Sequence, residues 1–408
     1  MKIVFFAHPD FLGNKSMDRF AKLLSEGMRK RGHVVEVWSP KPLAFKLSPN
    51  TFLSKWLSYI DLYILFPQKV KRLLRAESKD TLYAFTDQSL GIWVPLTAGR
   101  HTVIHCHDFL ALRSALGEIE ENPTKRSGKI YQRLILKGFS EGENFISVSN
   151  KTKEDLHKYV LKSPKLSGVV YNGLHQRFNR RDPGIARTAF GNYAGIDLRN
   201  GYLLHVGGNQ WYKNRIGVVE LYEGWRKITS TPLPMLLVGM PVSADVAEKI
   251  KNTPYSKDIH CLTNVTDDLL GVAYAGASLF LFPSLGEGFG WPIAEAMASG
   301  TLVLTTNEAP MSEVAGSAGY LVPKRPAKPS QLTGWVQTVA DTIEQAITMN
   351  PEERAIAIER GLNNSKRFDT DISLDQIEAF YYKVVQSDKG VVELTQKGIS
   401  DRVSSTIN

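Results

Sequence analysis

Residues Ser284–Asn307 read SLGEGFGWPIAEAMASGTLVLTTN, and this stretch decides the fold. Gly286, Gly288 and Gly290 alternate with Glu287 and Phe289; a Trp-Pro pair follows, and a small-residue segment carrying Glu295 runs to Gly300. Pro292 suits the first position of a helix, where its missing N–H would be unpaired anyway. A helix is therefore predicted over PIAEAMAS, stopped by Gly300. Leu302-Val303-Leu304 reads as a buried strand after it, and LFLFPS (Leu279–Ser284) as another before the loop. Strand, glycine loop, helix, strand is the repeating unit of a parallel sheet covered by helices on both faces.

The same order recurs along the chain. KIVFFA (Lys2–Ala7) is a β-rich run followed by a loop holding Gly13. In SMDRFAKLLSEGMRKRGH the residues Phe20, Leu23, Leu24 and Met28 recur at helical spacing, and Gly32 ends the helix before VVEVWS. TLYAFT, TVIHCH, FISVS and SGVVYN are further candidate strands. After an irregular stretch near residues 176–200 the pattern restarts with GYLLHVGG, the helical GVVELYEGWRKI, and MLLVG. The prediction is α/β: two Rossmann-like, doubly wound parallel-sheet domains, residues 1–180 and 181–370, facing across a cleft. A helix over 371–386 returns to the first domain, and 387–408 is a polar tail.

The bulk numbers agree. A chain of 408 residues is long for one core, and 43% hydrophobic with 22% charged residues is a globular composition. Two distant cysteines, Cys106 and Cys261, argue against a disulfide framework. MKIVFFAHPD is too short an apolar run for a signal peptide, and no segment reaches the roughly 18 apolar residues of a membrane span. A soluble, cytoplasmic protein is expected. The net charge of +9 points to anionic partners; no nucleic-acid-binding signature is present, so phosphorylated small molecules or an acidic membrane surface rank ahead of nucleic acid. Leu53–Arg75 mixes aromatic and aliphatic residues with a basic end. It reads either as a helix packed in the first domain or as one docking on the inner face of an anionic membrane.

Glu287 lies in the glycine loop and Glu295 one turn into the helix. A helix start flanked by glycines is an anion site, because its free N–H groups and dipole favour negative charge. Two carboxylates beside such a site suit a ligand that carries hydroxyls on both sides of its phosphates, as a nucleotide-sugar does. By themselves they also suit a dipole-satisfying helix acid and a solvated loop residue.

EGFGWPIAEAMASGTLVLTTNEAPMSEVAG resembles the E-x7-E region of retaining glycosyltransferases of family 4, which have the GT-B fold. HCHDF, ISVSNKTKEDL, VVYNGL, LLHVGGNQWYKN, LLVG and TDDLLGVAYAGASLFLFPS resemble family segments in the same order, so the likeness covers most of the chain. The resemblance implies that Glu295 binds the ribose hydroxyls and that Glu287 acts at the transferred sugar. It implies that Lys213 neutralises the diphosphate and that the backbone around Gly288, Phe289 and Gly290 holds sugar or phosphate oxygens. Gly13 then faces the donor phosphates, and His107 lies near the sugar or acceptor. Many relatives carry an arginine five residues before the lysine; this chain has Gly208, with Arg215 or the Asn209-Gln210 pair as possible substitutes.

The implied reaction moves a hexose from a UDP- or GDP-sugar to a glycan or lipid-linked acceptor in surface polysaccharide synthesis. It retains configuration and needs no metal or other cofactor. Asp369 and Asp371 form a D-x-D, read here as loop and helix capping. Two rivals share the architecture: a sugar-nucleotide epimerase, which would turn over donor without acceptor, and a non-catalytic nucleotide-sugar binding protein. A nicotinamide dehydrogenase is disfavoured, because neither AHPDFLGNKS nor VGGNQWYKN carries G-x-G-x-x-G.

Overall fold

The computed structural model describes residues 1–13, 15–47 and 51–386; the predicted polar tail, 387–408, lies outside them. The chain divides into two units. The first holds residues 1–118, 124–170 and the chain from 371 onward, and the second holds 119–123 and 171–370. The division after residue 170, rather than 180, has a local cause. Leu174 donates its N–H to the Phe368 carbonyl at 2.8 Å, and Phe178 packs edge-on against Tyr274. The chain is thus already tied to the second unit there.

Six parallel strands form the first sheet: β1 (Lys2–Phe6), β2 (Val34–Trp38), β3 (Leu82–Phe85), β4 (Thr102–Cys106), β5 (Asn144–Ser147) and β6 (Leu166–Val169). Their spatial order is β2-β1-β3-β4-β5-β6, with Phe5 opposite both Val37 and Ala84. Alternate residues face opposite sides. Val4, Phe6, Tyr83, Phe85, Ile104 and Phe145 point into a core closed by Phe66, Val70 and Leu74 of the helix Phe66–Leu74 and by Ile135 and Phe139 of Arg126–Phe139. On the other face Phe20 of the helix Lys15–Lys30 covers His105 and His107. The helical residues 370–386 complete that face: Tyr381 lies beside Phe5 and its hydroxyl is 2.7 Å from His105 Nε2. Arg31 bonds Asp375 at 2.8 Å and lies 3.5 Å from Asp371, so this half of the D-x-D holds a helix start in place.

The second sheet contains β7 (Leu203–Gly207), β8 (Met235–Gly239), β9 (Ile259–Thr263), β10 (Leu279–Phe282), β11 (Val303–Thr306) and β12 (Tyr320–Val322), all parallel, in the order β12-β11-β10-β7-β8-β9. Read from its other edge this is the 3-2-1-4-5-6 order of a doubly wound dinucleotide-binding sheet. One face is closed by the helices Arg215–Arg226 and Pro329–Ile347, which contribute Val218, Leu221, Trp225, Val339 and Ile343. The helices Asp267–Gly276 and Trp291–Ala298 supply buried Tyr274 and Ile293 to the core, Tyr274 lying edge-on to Phe280.

β7 and β8 end in a paired Gly207 and Gly239. Gly239 has φ +141°, and a Cβ there would lie 2.1 Å from the Gly207 carbonyl oxygen. Only glycine lets the two strands close at this point. Gly239→Ala should therefore lower unfolding stability by about 3 kcal/mol, from strain and overpacking together. Urea denaturation checks this; an unchanged midpoint would show the strand ends free to part.

Candidate active site

In an open parallel sheet ligands bind outside the carboxyl ends of the strands, where the strand order reverses. In the second unit the reversal falls between β7 and β10, and the loops leaving these two strands carry the predicted residues. The β7 loop ends in the short 3-10 turn Trp211–Lys213. The β10 loop runs from Pro283 to Gly290 and enters the helix Trp291–Ala298. That helix begins one residue earlier than predicted, placing Pro292 second in it. Gly290, at φ +100°, occupies the N-cap without a side chain over the helix start.

Lys213 and Glu287 join the two loops: Nζ donates to Oε1 at 2.8 Å, and both side chains are mostly buried. The ammonium also lies 4.9 Å from the centre of the Phe282 ring, a cation–π contact that holds it over the end of β10. Ser284 Oγ is 2.7 Å from Glu287 Oε1 and 2.7 Å from the Tyr212 carbonyl. Its single proton serves one acceptor at a time. Ser284 thereby ties the carboxylate to the lysine loop, a role sequence reading missed because an isolated serine carries no pattern.

Glu295 is buried, and the Tyr274 hydroxyl donates to its Oε2 at 3.2 Å. Phe289 is buried among Tyr171, Trp291 and Phe368, with ring centres 6.2, 6.3 and 5.4 Å away. The side chain between Gly288 and Gly290 is thus the anchor of the glycine loop, whereas the prediction concerned only its backbone. Asp267 and Asp268 do not cap their helix. Thr266 does, and the two acids face Arg177.

The side of the Gly208 departure is filled differently. A Cβ at Gly208 would meet the Gln210 amide. Arg215 is buried, and its Nη1 donates to Asn209 Oδ1 at 2.8 Å and to the Met240 carbonyl at 3.0 Å. Arg215 braces Asn209 against the end of β8, and burial pulls its guanidinium below the usual arginine range.

Beneath this site His205 of β7 is buried, with Nδ1 2.9 Å from the Leu281 carbonyl. Burial pulls its pKa down to about 3; His105, buried in the first unit, is held at about 3 for the same reason. The unfolded chain therefore binds protons at both positions below pH 6.5 while the folded chain does not. Stability is full above that pH and falls as pH drops toward 3. Each histidine should cost about 2 kcal/mol between pH 6.5 and 5. His205→Leu should remove its share of this loss, which denaturation at pH 7 and pH 5 measures; an unchanged pH slope would contradict it.

In the first unit the strand order reverses between β1 and β3. His8 follows β1, and its Nε2 lies 2.9 Å from Asp87 Oδ2, just past β3. Ser89 donates its N–H to Asp87 Oδ1 at 2.8 Å, and its hydroxyl oxygen is 3.2 Å from His8 Nε2. Burial raises the Asp87 pKa, but the His8 hydrogen bond and neighbouring histidine charge outweigh it and hold the carboxyl below its ordinary value. His107, past β4, is buried, with Nε2 2.9 Å from the Thr86 carbonyl; burial lowers its pKa against the pull of Asp87. Gly13 closes a 3-10 turn at φ +71° with open space where a Cβ would stand. His8 and Asp87 are candidate site residues that no sequence pattern singles out; only strand order brings them together.

Residues 200–346 match the family model described as glycosyl transferases group 1, and residues 17–176 match glycosyltransferase family 4. The MMP alpha-(1->4)-mannosyltransferase of Mycolicibacterium hassiacum is 30% identical over 381 residues, 83% of this chain and 89% of that one. The chain belongs to glycosyltransferase family 4.

Another relative, the O-antigen chain mannosyltransferase B of Escherichia coli, is 32% identical over 170 residues. That match covers 41% of this chain and only 42% of the relative's length. Among solved structures, Anabaena Alr3699/HepE, crystallised with UDP and glucose, has a TM-score of 0.67 at 16% identity, covering 93% of this chain and 98% of that one. The likeness establishes the fold of this family member as GT-B. The two family matches fall on the two sheets, one on each, and the match over residues 200–346 contains Lys213, Glu287 and Glu295.

Proposed function

We propose that this family 4 member moves a hexose from a UDP- or GDP-sugar to a hydroxyl of a glycan or lipid-linked acceptor in polysaccharide synthesis, with retention of configuration and without a metal. The observation that carries this reading is the Lys213–Glu287 pair bridging the two loops at the strand-order reversal of the second unit, beside an uncapped, glycine-flanked helix start. A nucleoside diphosphate leaving the anomeric carbon develops negative charge. A lysine and preorganised N–H groups stabilise that charge more in the transition state than in the ground state. Lys213 then turns from Glu287 to the diphosphate, and Glu287 accepts hydroxyls of the transferred sugar. Glu295 accepts the ribose hydroxyls, and the backbone of Gly288, Phe289 and Gly290 holds the phosphate or sugar oxygens. For the first unit, the family resemblance assigns Gly13 to the donor phosphates and His107 to the sugar or acceptor. The named relatives are mannosyltransferases, which supports mannose as the first sugar to try.

The test is a transfer assay with GDP-mannose and the common UDP-sugars, with a chelator present and the product anomer read by NMR. Release of nucleoside diphosphate only with acceptor, with retained configuration, is the expected result. Conversion of donor without acceptor, or turnover abolished by the chelator, would contradict it.

A further inference from the structure

The strand-order reversal of the first sheet carries a constellation to which the proposed function gives no task. Asp87 is the N-cap of the 3-10 helix Gln88–Thr97, and the Ser89 N–H donates to its Oδ1 at 2.8 Å. That bond fixes the carboxylate in rotation and leaves Oδ2 facing His8 Nε2 at 2.9 Å. The backbone presenting His8 is held as well. Ala7 donates its N–H to the Trp38 carbonyl at 3.1 Å, and Ser39 Oγ donates to the His8 carbonyl at 3.0 Å. The His8 side chain is 14% exposed and that of Asp87 9%, so the ring reaches the surface while its partner lies beneath it.

These contacts decide which ring nitrogen of His8 is free. An ionised carboxylate only accepts hydrogen bonds, so in the neutral imidazole Nε2 carries the hydrogen and donates it to Asp87. Ser89 Oγ, 3.2 Å from Nε2, is then a second acceptor of that hydrogen and not a donor to the ring. The arrangement is therefore no serine-nucleophile triad, in which serine and carboxylate take opposite ring nitrogens. Nδ1 keeps its lone pair, and among the described residues no hydrogen bond engages it. Asp10 and Asp18 stand within electrostatic reach: burial, with Asp10 adding to it, raises the Asp18 carboxyl, and His8 opposes them.

We propose that His8 Nδ1, oriented through Asp87, accepts the hydrogen of a sugar hydroxyl on the acceptor. The inference deepens the sugar-transfer reading and rests on it. A fixed lone pair receives O–H donors, and a neutral sugar supplies them at every carbon of its ring. A phosphate ion near neutral pH carries mainly acceptor oxygens and asks for donors in return, which this nitrogen cannot give. The acceptor group seated at this reversal is therefore a neutral sugar rather than a phosphate. His8 touches the substrate in this account. Asp87 is a positioning residue, acting only by holding the ring and its hydrogen, in the way a buried carboxylate sets the tautomer of a working histidine.

The test is nitrogen NMR of the full chain labelled at histidine and titrated with methyl α-D-mannopyranoside, beside transfer kinetics. The His8 ring, identified by the signals lost in His8→Ala, should carry its hydrogen on Nε2. The sugar should shift its Nδ1 signal, and inorganic phosphate should not. In Asp87→Asn the Ser89 N–H still holds the amide oxygen, so the amide nitrogen faces Nε2 and the ring hydrogen moves to Nδ1. Asp87→Asn and His8→Ala should each raise KM for the sugar acceptor about tenfold, the worth of one hydrogen bond. Donor-induced thermal stabilisation should persist in both, which also shows them folded; a merely structural role would lower stability and spare the acceptor KM. A hydrogen on Nδ1 in the parent protein, a signal indifferent to the sugar or moved equally by phosphate, or an unchanged acceptor KM in both variants would overturn the proposal. A parent protein that no nucleotide stabilises would sink the sugar-transfer reading, whereas an intact donor shift beside a silent His8 sinks this inference alone.

Discussion

Lys213→Ala should lower kcat/KM for sugar transfer by about a thousandfold. Removing one preorganised donor to a developing oxyanion costs roughly 10²–10³ in rate. Here a second effect is added. Glu287, whose Oε1 lies 2.8 Å from the lysine, would be left as a mostly buried carboxylate facing a diphosphate. The repulsion belongs to the same site, so the effects are coupled. Glu287→Gln on the Lys213→Ala background should restore part of the donor affinity while the rate stays low. Alone, Glu287→Gln should reduce kcat with little change in donor affinity. Steady-state kinetics on the four proteins of this cycle reads both quantities. Strict additivity would show that the pair does not act as one unit.

Phe289→Ala should have the largest effect on stability, about 3–5 kcal/mol for a buried aromatic in a well-packed site. The ring is the hub of a cluster with Tyr171, Trp291 and Phe368. It is also the one apolar side chain in a run of alternating glycines. Without it the backbone from Gly286 to Gly290 loses its anchor, and the loop's N–H groups are no longer preorganised. Donor affinity should fall along with thermal stability, whereas Phe289→Tyr or Phe289→Leu should retain more of both. A variant that melts early yet binds donor as tightly as the parent would separate the cluster from the site.

Much of this is legible in the amino-acid sequence alone, for physical reasons that differ by element. Of the ten strands that could be read, eight are central parallel strands, buried on both faces and showing as apolar runs, KIVFF and LFLF among them; the edge strands β2 and β6 were legible from the β-branched pairs in VVEVW and SGVV. The two unread strands lie at sheet edges. β9, IHCLT, is partly exposed and alternating, and β12 is only three residues long. Neither carries a run that separates it from a loop. Lys213, Glu287 and Glu295 were legible because glycines and a proline frame them. Tyr274 and Ser284, which hold the two carboxylates, were not, since their partners are set by tertiary approach. His8 and Asp87 are 79 residues apart in sequence and meet only because β1 and β3 are neighbours. Leu53–Arg75 was ambiguous between core helix and interfacial helix because one stripe at four-residue spacing is buried and another faces out.

The central claim is that the strand-order reversal of the second unit, gripped by Lys213, binds a nucleoside diphosphate. Thermal unfolding against UDP, GDP, ADP and their sugar conjugates, with a chelator present throughout, tests it most directly. A ligand at a hundred times its dissociation constant adds about 2.7 kcal/mol, a shift readily seen. One nucleotide should stabilise the parent protein, and its shift should vanish in Lys213→Ala. If no nucleotide shifts the transition, or the shift survives the loss of Lys213, the site assigned here is not the donor site.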